Sequence, residues 1–303
     1  MRIEDKKGIL EKRQFITQSV RDFFCSRNFL EVETPCRIPA PIPETHIDSV
    51  ASGTWFLHAS PEICMKRLLA AGYERLFQIC KCYREGERGS RHLPEFTLLE
   101  WYRSHSDYTD LMADCEALVA YIVPSLGKGE ELSYQKETLD IRPPWERLTV
   151  DEAFRLYASM SLDEAINTER FEEILTDEVE PFLGIRKPTF LYDYPLPLAS
   201  LARRKKSNPL LAERFELYLF GMELANGFSE LTDPAEQQRR FAETAQERSH
   251  WGKPNHPVPE PFLRDLAKMP EAAGIALGLD RMIMILTDTN IIDDVVAFTP
   301  EML

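Results

Sequence analysis

Residues 84–102, Arg84 to Tyr102, read REGERGSRHLPEFTLLEWY, and this stretch decides the fold. Two runs rich in apolar and aromatic residues flank it, Leu76–Tyr83 and Phe96–Arg103, with Gly, Arg, Glu and His crowded between them. Strand, short loop, strand is the pattern of a β-hairpin, and a turn this charged suits a charged ligand. Side chains alternate on the returning strand, so Phe96, Leu98, Glu100 and Tyr102 share one face, and Thr97, Leu99, Trp101 and Arg103 the other. An aromatic plate, a carboxylate and a phenol beside an arginine-bearing loop suit a ligand with a flat ring, phosphates and an amine. A surface hairpin held by ordinary salt bridges is the competing reading of this segment taken alone.

Upstream, residues 8–28 place Ile9, Leu10, Phe15, Ile16, Val20, Phe23 and Phe24 at helical spacing. Asn28 closes that helix before a strand at Phe29–Glu33, which Pro35 stops. A further strand, Trp55–Ala59, runs into Ser60-Pro61-Glu62 and a helix through Ala71, whose first turn favours both Pro61 and Glu62. Downstream, a helix is expected from Tyr108 to about Val123, then a polar linker at Ser125–Ser133, then short helices over 149–183. Strands resume at Thr189–Tyr194 and at Arg214–Leu231; helices follow near 234–249 and 259–268. A buried strand at Gly274–Asp280 leads into the apolar helix Arg281–Leu286. Paired strands with helices inserted between them argue for α+β rather than a doubly wound parallel sheet.

The 303 residues allow a substantial core, and Lys plus Arg at 36 against Asp plus Glu at 50 leaves a net charge of −14. Proteins that grip RNA usually carry a basic face, so this balance counts against nucleic acid as the main partner. The N-terminus MRIEDKKGIL is too charged for a signal peptide and no apolar run is long enough to span a membrane, which leads us to expect a cytoplasmic protein. Cysteines stand at 25, 36, 64, 80, 82 and 115 without a CxxC pair or other zinc-ligand spacing; Cys80 and Cys82 read as small buried residues of one strand. The cluster Arg203-Arg204-Lys205-Lys206 reads as a solvated loop, or else as a docking patch for an acidic partner or an RNA stem.

The Arg214–Leu231 pair, RFELYLFGMELANGFSEL, carries a metal argument. A turn at Phe220-Gly221 pairs Tyr218 with Glu223 and Glu216 with Ala225, so Glu216 and Glu223 share a face with Cβ atoms roughly 7 Å apart. Two such carboxylates can share a hard cation, and Mg²⁺ also takes phosphate oxygens. Asn226, Phe228 and Glu230 alternate with the opposite parity to Glu223. Both sets line one pocket only if the strand slips by a residue, and Gly227 is the expected place for that bulge.

These pieces resemble the class II aminoacyl-tRNA synthetases, most closely their lysyl branch. The 84–102 hairpin is similar to motif 2, the helix, strand and proline of the N-terminus to motif 1, and Gly278-Leu279-Asp280-Arg281 to motif 3. The resemblance implies one α+β catalytic domain over 1–303, an antiparallel sheet flanked by helices. It implies activation of a carboxylate by ATP, with Arg84 holding the α-phosphate and the carboxylate, and Arg281 the terminal phosphate. His92 and Phe96 then contact ATP, Phe96 stacking on adenine. The family's R-x-E reads Arg84-Glu85-Gly86 here, which leaves Glu87, one residue later, as the adenine-reading carboxylate, with Gly86 and Gly89 freeing the loop. Glu216 and Glu223 keep the lysyl spacing for Mg²⁺. Ser60, Glu62, Glu100, Tyr102, Asn226, Phe228 and Glu230 fall on the amino-acid side, an anionic, hydroxyl-lined pocket. Its charge admits arginine or ornithine as well; the motif match selects lysine.

Motif 1 begins at the first residues, so no anticodon-binding barrel of the lysyl-tRNA synthetases is expected ahead of it. The resemblance is closest to a group of synthetase paralogues that ligate (R)-β-lysine to a lysine of elongation factor P. Trp101 fits that group, and so does Ala276, where synthetases usually have glycine. A methyl there crowds the α-amino group of α-lysine and spares an amine on the β-carbon, a preference worth about 1–3 kcal/mol. The resemblance further implies a homodimer, with tRNA disfavoured as acceptor. The alternatives are a stand-alone enzyme charging tRNA and a non-catalytic binder of lysine or tRNA, which would not need Arg84, Glu216, Glu223 and Arg281 together. Nothing in the sequence marks a base for the acceptor amine.

Overall fold

The computed structural model describes residues 2–303. One large sheet is built from β1 Leu30–Glu31, β2 Arg75–Tyr83, β3 Glu95–Ser104, β4 Glu146–Thr149, β5 Thr189–Pro195, β6 Leu211–Leu219, β7 Met222–Ser229 and β8 Ala272–Gly278. In space the order is β1-β2-β3-β8-β7-β6-β5-β4. Pairing is antiparallel from β2 to β5 and parallel only at the two outermost pairs. Helices cover it: α1 Lys7–Ser26, α2 Glu62–Ala70, α3 Tyr108–Ser125, α4 Val150–Tyr157, α5 Leu162–Asn167, α6 Phe171–Ile174, α7 Pro234–His250, α8 Glu260–Leu266 and α9 Leu279–Thr287. Among the described residues, no helix is long and apolar enough to cross a membrane.

The two faces of the β2–β3 hairpin do different work. Ile16, Val20, Phe23 and Phe24 of α1 lie on one helical stripe and are fully buried. Phe24 stacks on Phe77 of β2 with ring centroids 5.0 Å apart and tilts against Trp101 of β3 at 5.1 Å. Trp101 is therefore core under α1, on the opposite face from Glu100 and Tyr102. Asn28 ends α1 with φ 61°, but the strand after it is shorter than expected, Leu30–Glu31.

The expected linker after α3 holds structure instead. Glu131–Tyr134 and Glu137–Asp140 form an antiparallel pair, and β4 follows at Glu146–Thr149. The short helices start where Thr149 and Ser161 close capping boxes with Glu152 and Glu164. They pack Val150, Phe154, Phe171 and Ile174 against Leu191 and Tyr218 of β5 and β6.

The β6–β7 turn falls at Phe220-Gly221, with φ of 54° and 63°, as a tight hairpin requires. Leu219 faces Met222 and Tyr218 faces Glu223, but Leu217 then faces Ala225, and Glu216 faces Asn226 rather than Ala225. The slip of one residue is present, and it lies at Leu224 rather than at Gly227. Gly227 is needed for another reason: a Cβ there would lie 2.8 Å from the Phe215 ring of the neighbouring strand. Moving the bulge toward the turn puts Glu223, Asn226 and Phe228 on one face, together with Glu216.

Candidate active site

Two rows of side chains cross four neighbouring strands on that face. Glu100, Ala276, Asn226 and Glu216 stand side by side on β3, β8, β7 and β6; Tyr102, Gly274, Phe228 and Arg214 form the row beside them. The sheet register thus assembles most residues that the sequence assigned to the amino acid, with Ala276 between Glu100 and Asn226.

Ser60 and α2 close this pocket from above. Ser60 Oγ donates to Glu100 Oε1 at 2.6 Å and Tyr102 OH to Glu100 Oε2 at 2.8 Å. Lys66, one helical turn after Glu62, forms ion pairs with both Glu62 and Glu230 and lies 5.0 Å from the Phe228 ring centre. The pocket is therefore not the purely anionic one expected from the sequence. Lys66 Nζ is 2.5 Å from Glu230 Oε2, whereas Oε1 of this fully buried carboxylate has no partner. An unpartnered buried carboxylate oxygen is costly and suits an incoming ammonium donor.

Burial and the neighbouring Glu62 charge push the Glu100 carboxyl up to about 8. Burial also raises Glu230, an effect that Lys66 only partly offsets. For Lys66 burial works the other way, and the charges of Glu230 and Glu62 outweigh it to keep the ammonium protonated. A Glu100 carboxyl raised from its ordinary 4.5 to about 8 holds a proton in the folded chain that the unfolded chain has lost. Its contribution to the stability of the ligand-free chain is thus full below about pH 4.5 and is lost as pH rises toward about 8. A diamine substrate needs the ionised form, so binding should release a proton and tighten by up to about tenfold per pH unit between about pH 6 and 8. Calorimetric titration with a lysine isomer checks this, and Glu100→Gln should make the profile shallower, leaving the part that Glu230 contributes.

The other end of the cleft gathers the phosphate-type residues. Arg281, at the start of α9, donates through Nη1 to the Glu223 carbonyl at 2.7 Å and through Nε to the Arg91 carbonyl at 3.3 Å. Its Nη2 lies 2.6 Å from His92 Nε2. Burial and the Arg281 charge lower His92, so its ring accepts that bond in neutral form. Asp280 anchors the preceding turn, accepting from Arg13 at 2.5 Å and from the Thr97 backbone N–H at 2.7 Å. Arg84 lies over Phe96, 5.0 Å from the ring centre, and Glu87 reaches back to Arg84 at 3.5 Å. Gly86 takes φ 76°, which turns the loop so that Glu87 faces this end of the cleft.

A third carboxylate that sequence reasoning missed, Glu180, stands near Glu216 and Glu223. Tyr218 OH is 2.7 Å from Glu216 Oε2 and 3.2 Å from Glu180 Oε1. Burial, with the charges of Glu223 and Glu216, pushes Glu180 up to about 7. Arg214 holds the other side of Glu216 at 2.6 Å. Arg214, two residues before Glu216 on one strand, and Lys66, four after Glu62 on one helix, were both readable from periodicity. Glu180 was not, because it stands in an irregular turn, Glu180–Phe182, after a wide helical turn.

The basic cluster is neither free nor merely solvated. Arg203 pairs with Glu213 and Glu271, Arg204 with Glu236, Lys205 with Asp193, and Lys206 with Glu271. Its charge is spent within the chain, which removes the reason to read it as a docking patch.

Comparison with known proteins agrees with this geometry. The profile of the family described as tRNA synthetases class II (D, K and N) matches residues 1–302. A protein of Salmonella gallinarum named elongation factor P--(R)-beta-lysine ligase is 40% identical over 312 residues, covering 96% of this chain and 95% of that relative. Relatives of the same name from Salmonella dublin and Salmonella heidelberg are 40% identical over 313 residues, with the same coverage.

Proposed function

This chain belongs to the class II tRNA synthetases (D, K and N), and from that membership we propose that it activates (R)-β-lysine with ATP and transfers it to a lysine side chain of elongation factor P. The family is one of ATP-dependent, adenylate-forming enzymes, and the named activity of relatives that match over nearly their full length supplies the acceptor. The observation that carries the reading is the continuous face from Arg281 and Arg84 to Glu100 and Glu230. It joins a cationic, aromatic-lined end for a nucleotide to an acidic end for amines.

In this reading the substrate carboxylate attacks the α-phosphorus, pyrophosphate leaves, and the acceptor amine then takes the acyl group and releases AMP. Arg84 fixes the α-phosphate against the carboxylate, Phe96 and Glu87 hold the base, and Arg281 with His92 holds the terminal phosphate. Glu216 and Glu223, with Glu180 beside them, fit Mg²⁺: they are hard oxygen donors, and burial together with the charges of Glu223 and Glu216 already drives Glu180 toward its neutral form. A bound Mg²⁺ would supply positive charge against the phosphates. At the acidic end, Ser60 and Tyr102 aim Glu100, and Glu62, Lys66 and Glu230 set the charge balance. We also propose the homodimer, supported by the exposed apolar residues Phe15 of α1 and Leu30 of β1 beside motif 1.

Ala276 sets the choice of isomer. Its neighbours Glu100 and Asn226 place its methyl on the pocket face, where it is only half-buried. Pyrophosphate exchange measured with (R)-β-lysine and with α-lysine tests the reading. The wild type should favour the β-isomer, and Ala276→Gly should improve kcat/KM for α-lysine by about 10-fold. Equal use of both isomers by the wild type, or no gain in the variant, would contradict it.

A further inference from the structure

β2 leaves the amino-acid pocket at Gln78, which faces Glu100, and next carries Cys80 and Cys82 on the same sheet face, opposite Leu98 and Phe96. His58 arrives beside them from the end of the short strand Trp55–Leu57, two residues before Ser60. The donor atoms of His58, Cys80 and Cys82 all lie within 4.8 Å of one another, and His58 and Cys82 are fully buried. None of the three contributes to the phosphate or amine contacts described above.

The histidine is already in the form that a metal ligand takes. Its Nε2 lies 2.8 Å from the Lys81 carbonyl oxygen, which can only accept. Nε2 therefore carries the hydrogen and Nδ1 presents its lone pair, the arrangement that orients a ligating imidazole. The two sulfurs are 3.9 Å apart. Sulfurs at two corners of a tetrahedron with metal–sulfur bonds of about 2.3 Å stand about 3.8 Å apart. Cys36, exposed and outside that cluster, lies beside His58 at the end of a strand pair: the His58 N–H donates to the Cys36 carbonyl at 2.8 Å, next to the Arg37 and Leu57 pair. Directly opposed residues put their side chains on one side, with Cβ atoms about 5 Å apart.

We propose that His58, Cys80 and Cys82, completed by Cys36, form a site for a borderline-soft divalent cation of the zinc class, separate from the carboxylates assigned to Mg²⁺. Thiolate and imidazole select such an ion and reject Mg²⁺. A hydrogen bond from Cys82, with help from His58 against the cost of burial, favours the thiolate of Cys80. The remaining thiols lose their protons to solvent as the ion binds. The ion ties three separate segments together. Ser60, which holds Glu100, follows His58 by two residues, and Arg84 follows Cys82 by two, so an occupied site fixes the amine end against the phosphate end. Sequence spacing could not show this, because the ligands come from three separate segments and no two form a CxxC pair.

The test uses the full chain, reduced and stripped with a chelator, then titrated with Co²⁺ and with Zn²⁺. One equivalent of Co²⁺ should give a thiolate-to-metal charge-transfer band with tetrahedral visible absorption, and Zn²⁺ should displace it while excess Mg²⁺ does not. Cys80→Ser and Cys82→Ser should abolish the band, Cys36→Ser should weaken binding at least tenfold, and Cys25→Ser should change nothing. Alkylation mapped by mass spectrometry needs no variant: Zn²⁺ should protect Cys80 and Cys82 in the wild type. Absence of the band, its survival in the Cys80→Ser/Cys82→Ser double variant, or no protection overturns the site. Unchanged affinity in Cys36→Ser overturns the fourth ligand.

Discussion

Truncating Arg281 to alanine should lower amino-acid-dependent pyrophosphate exchange by about 10²–10³-fold, and Arg84→Ala should do the same. Both guanidinium groups are held in place without being neutralised. Arg281 is steered by two backbone carbonyls and a neutral imidazole, and its carboxylate contact, Glu223 Oε2, stands off at 3.4 Å. Arg84 rests on an aromatic face with Glu87 at 3.5 Å. Charge oriented in advance and left uncancelled is what a phosphate oxygen meets with little reorganisation. Lysine at either position should recover little, because a point charge lacks the planar fork. Both side chains reach solvent, at 28% for Arg84 and 20% for Arg281, so the thermal midpoint should barely move. Loss of exchange with an unchanged midpoint identifies phosphate contact; equal losses of both would point to folding instead.

Gly274→Ala should damage both stability and amino-acid binding, in contrast to Ala276→Gly two residues along the same strand. A Cβ at 274 would lie 2.2 Å from Tyr102 Cε1, 2.4 Å from its Cδ1 and 2.5 Å from Glu230 Oε1. Tyr102 is nearly fully buried under α2 and bonded to Glu100, so its ring cannot withdraw without loosening the carboxylate that it aims. Overpacking of this kind costs about 1–3 kcal/mol, and each kcal/mol lowers the midpoint of a chain this size by about 2 °C. The KM for the amino acid should rise at least about tenfold, since misplacing a buried charged partner costs on the order of 1.5–3 kcal/mol. A thermal scan and a KM measurement on the variant check the two effects separately. Unchanged values for both would mean that Tyr102 and Glu230 do not share this space.

The same register explains what the sequence made legible. Glu100, Tyr102, Asn226 and Phe228 were readable because alternation along a strand is strict, and Glu216 and Glu223 because the two-residue turn sets Tyr218 opposite Glu223 and Glu216 lies two residues before Tyr218 on the same face. The bulge was inferred correctly from parity but assigned to the wrong residue. Gly227 is a glycine to admit the Phe215 ring, and the slip at Leu224 carries no glycine to mark it. The strands at 131–149 were missed because each spans four residues, and the turn at Gln135-Lys136 adopts positive φ without glycine or asparagine. Lys66 changed the chemistry of the pocket more than any misplaced element: it sets an ammonium between Glu62 and Glu230 and leaves Glu230 Oε1 unpartnered for the ligand. Contacts among α2, β3 and the end of β7 are long-range, and no local pattern encodes them.

The proposed function pairs this site with a protein acceptor. It is tested most directly by mass spectrometry of elongation factor P and of total tRNA after incubation with this chain, ATP, Mg²⁺ and (R)-β-lysine. One β-lysyl group is expected on a single lysine of elongation factor P, with tRNA unchanged. Acylated tRNA beside an unmodified factor would contradict it.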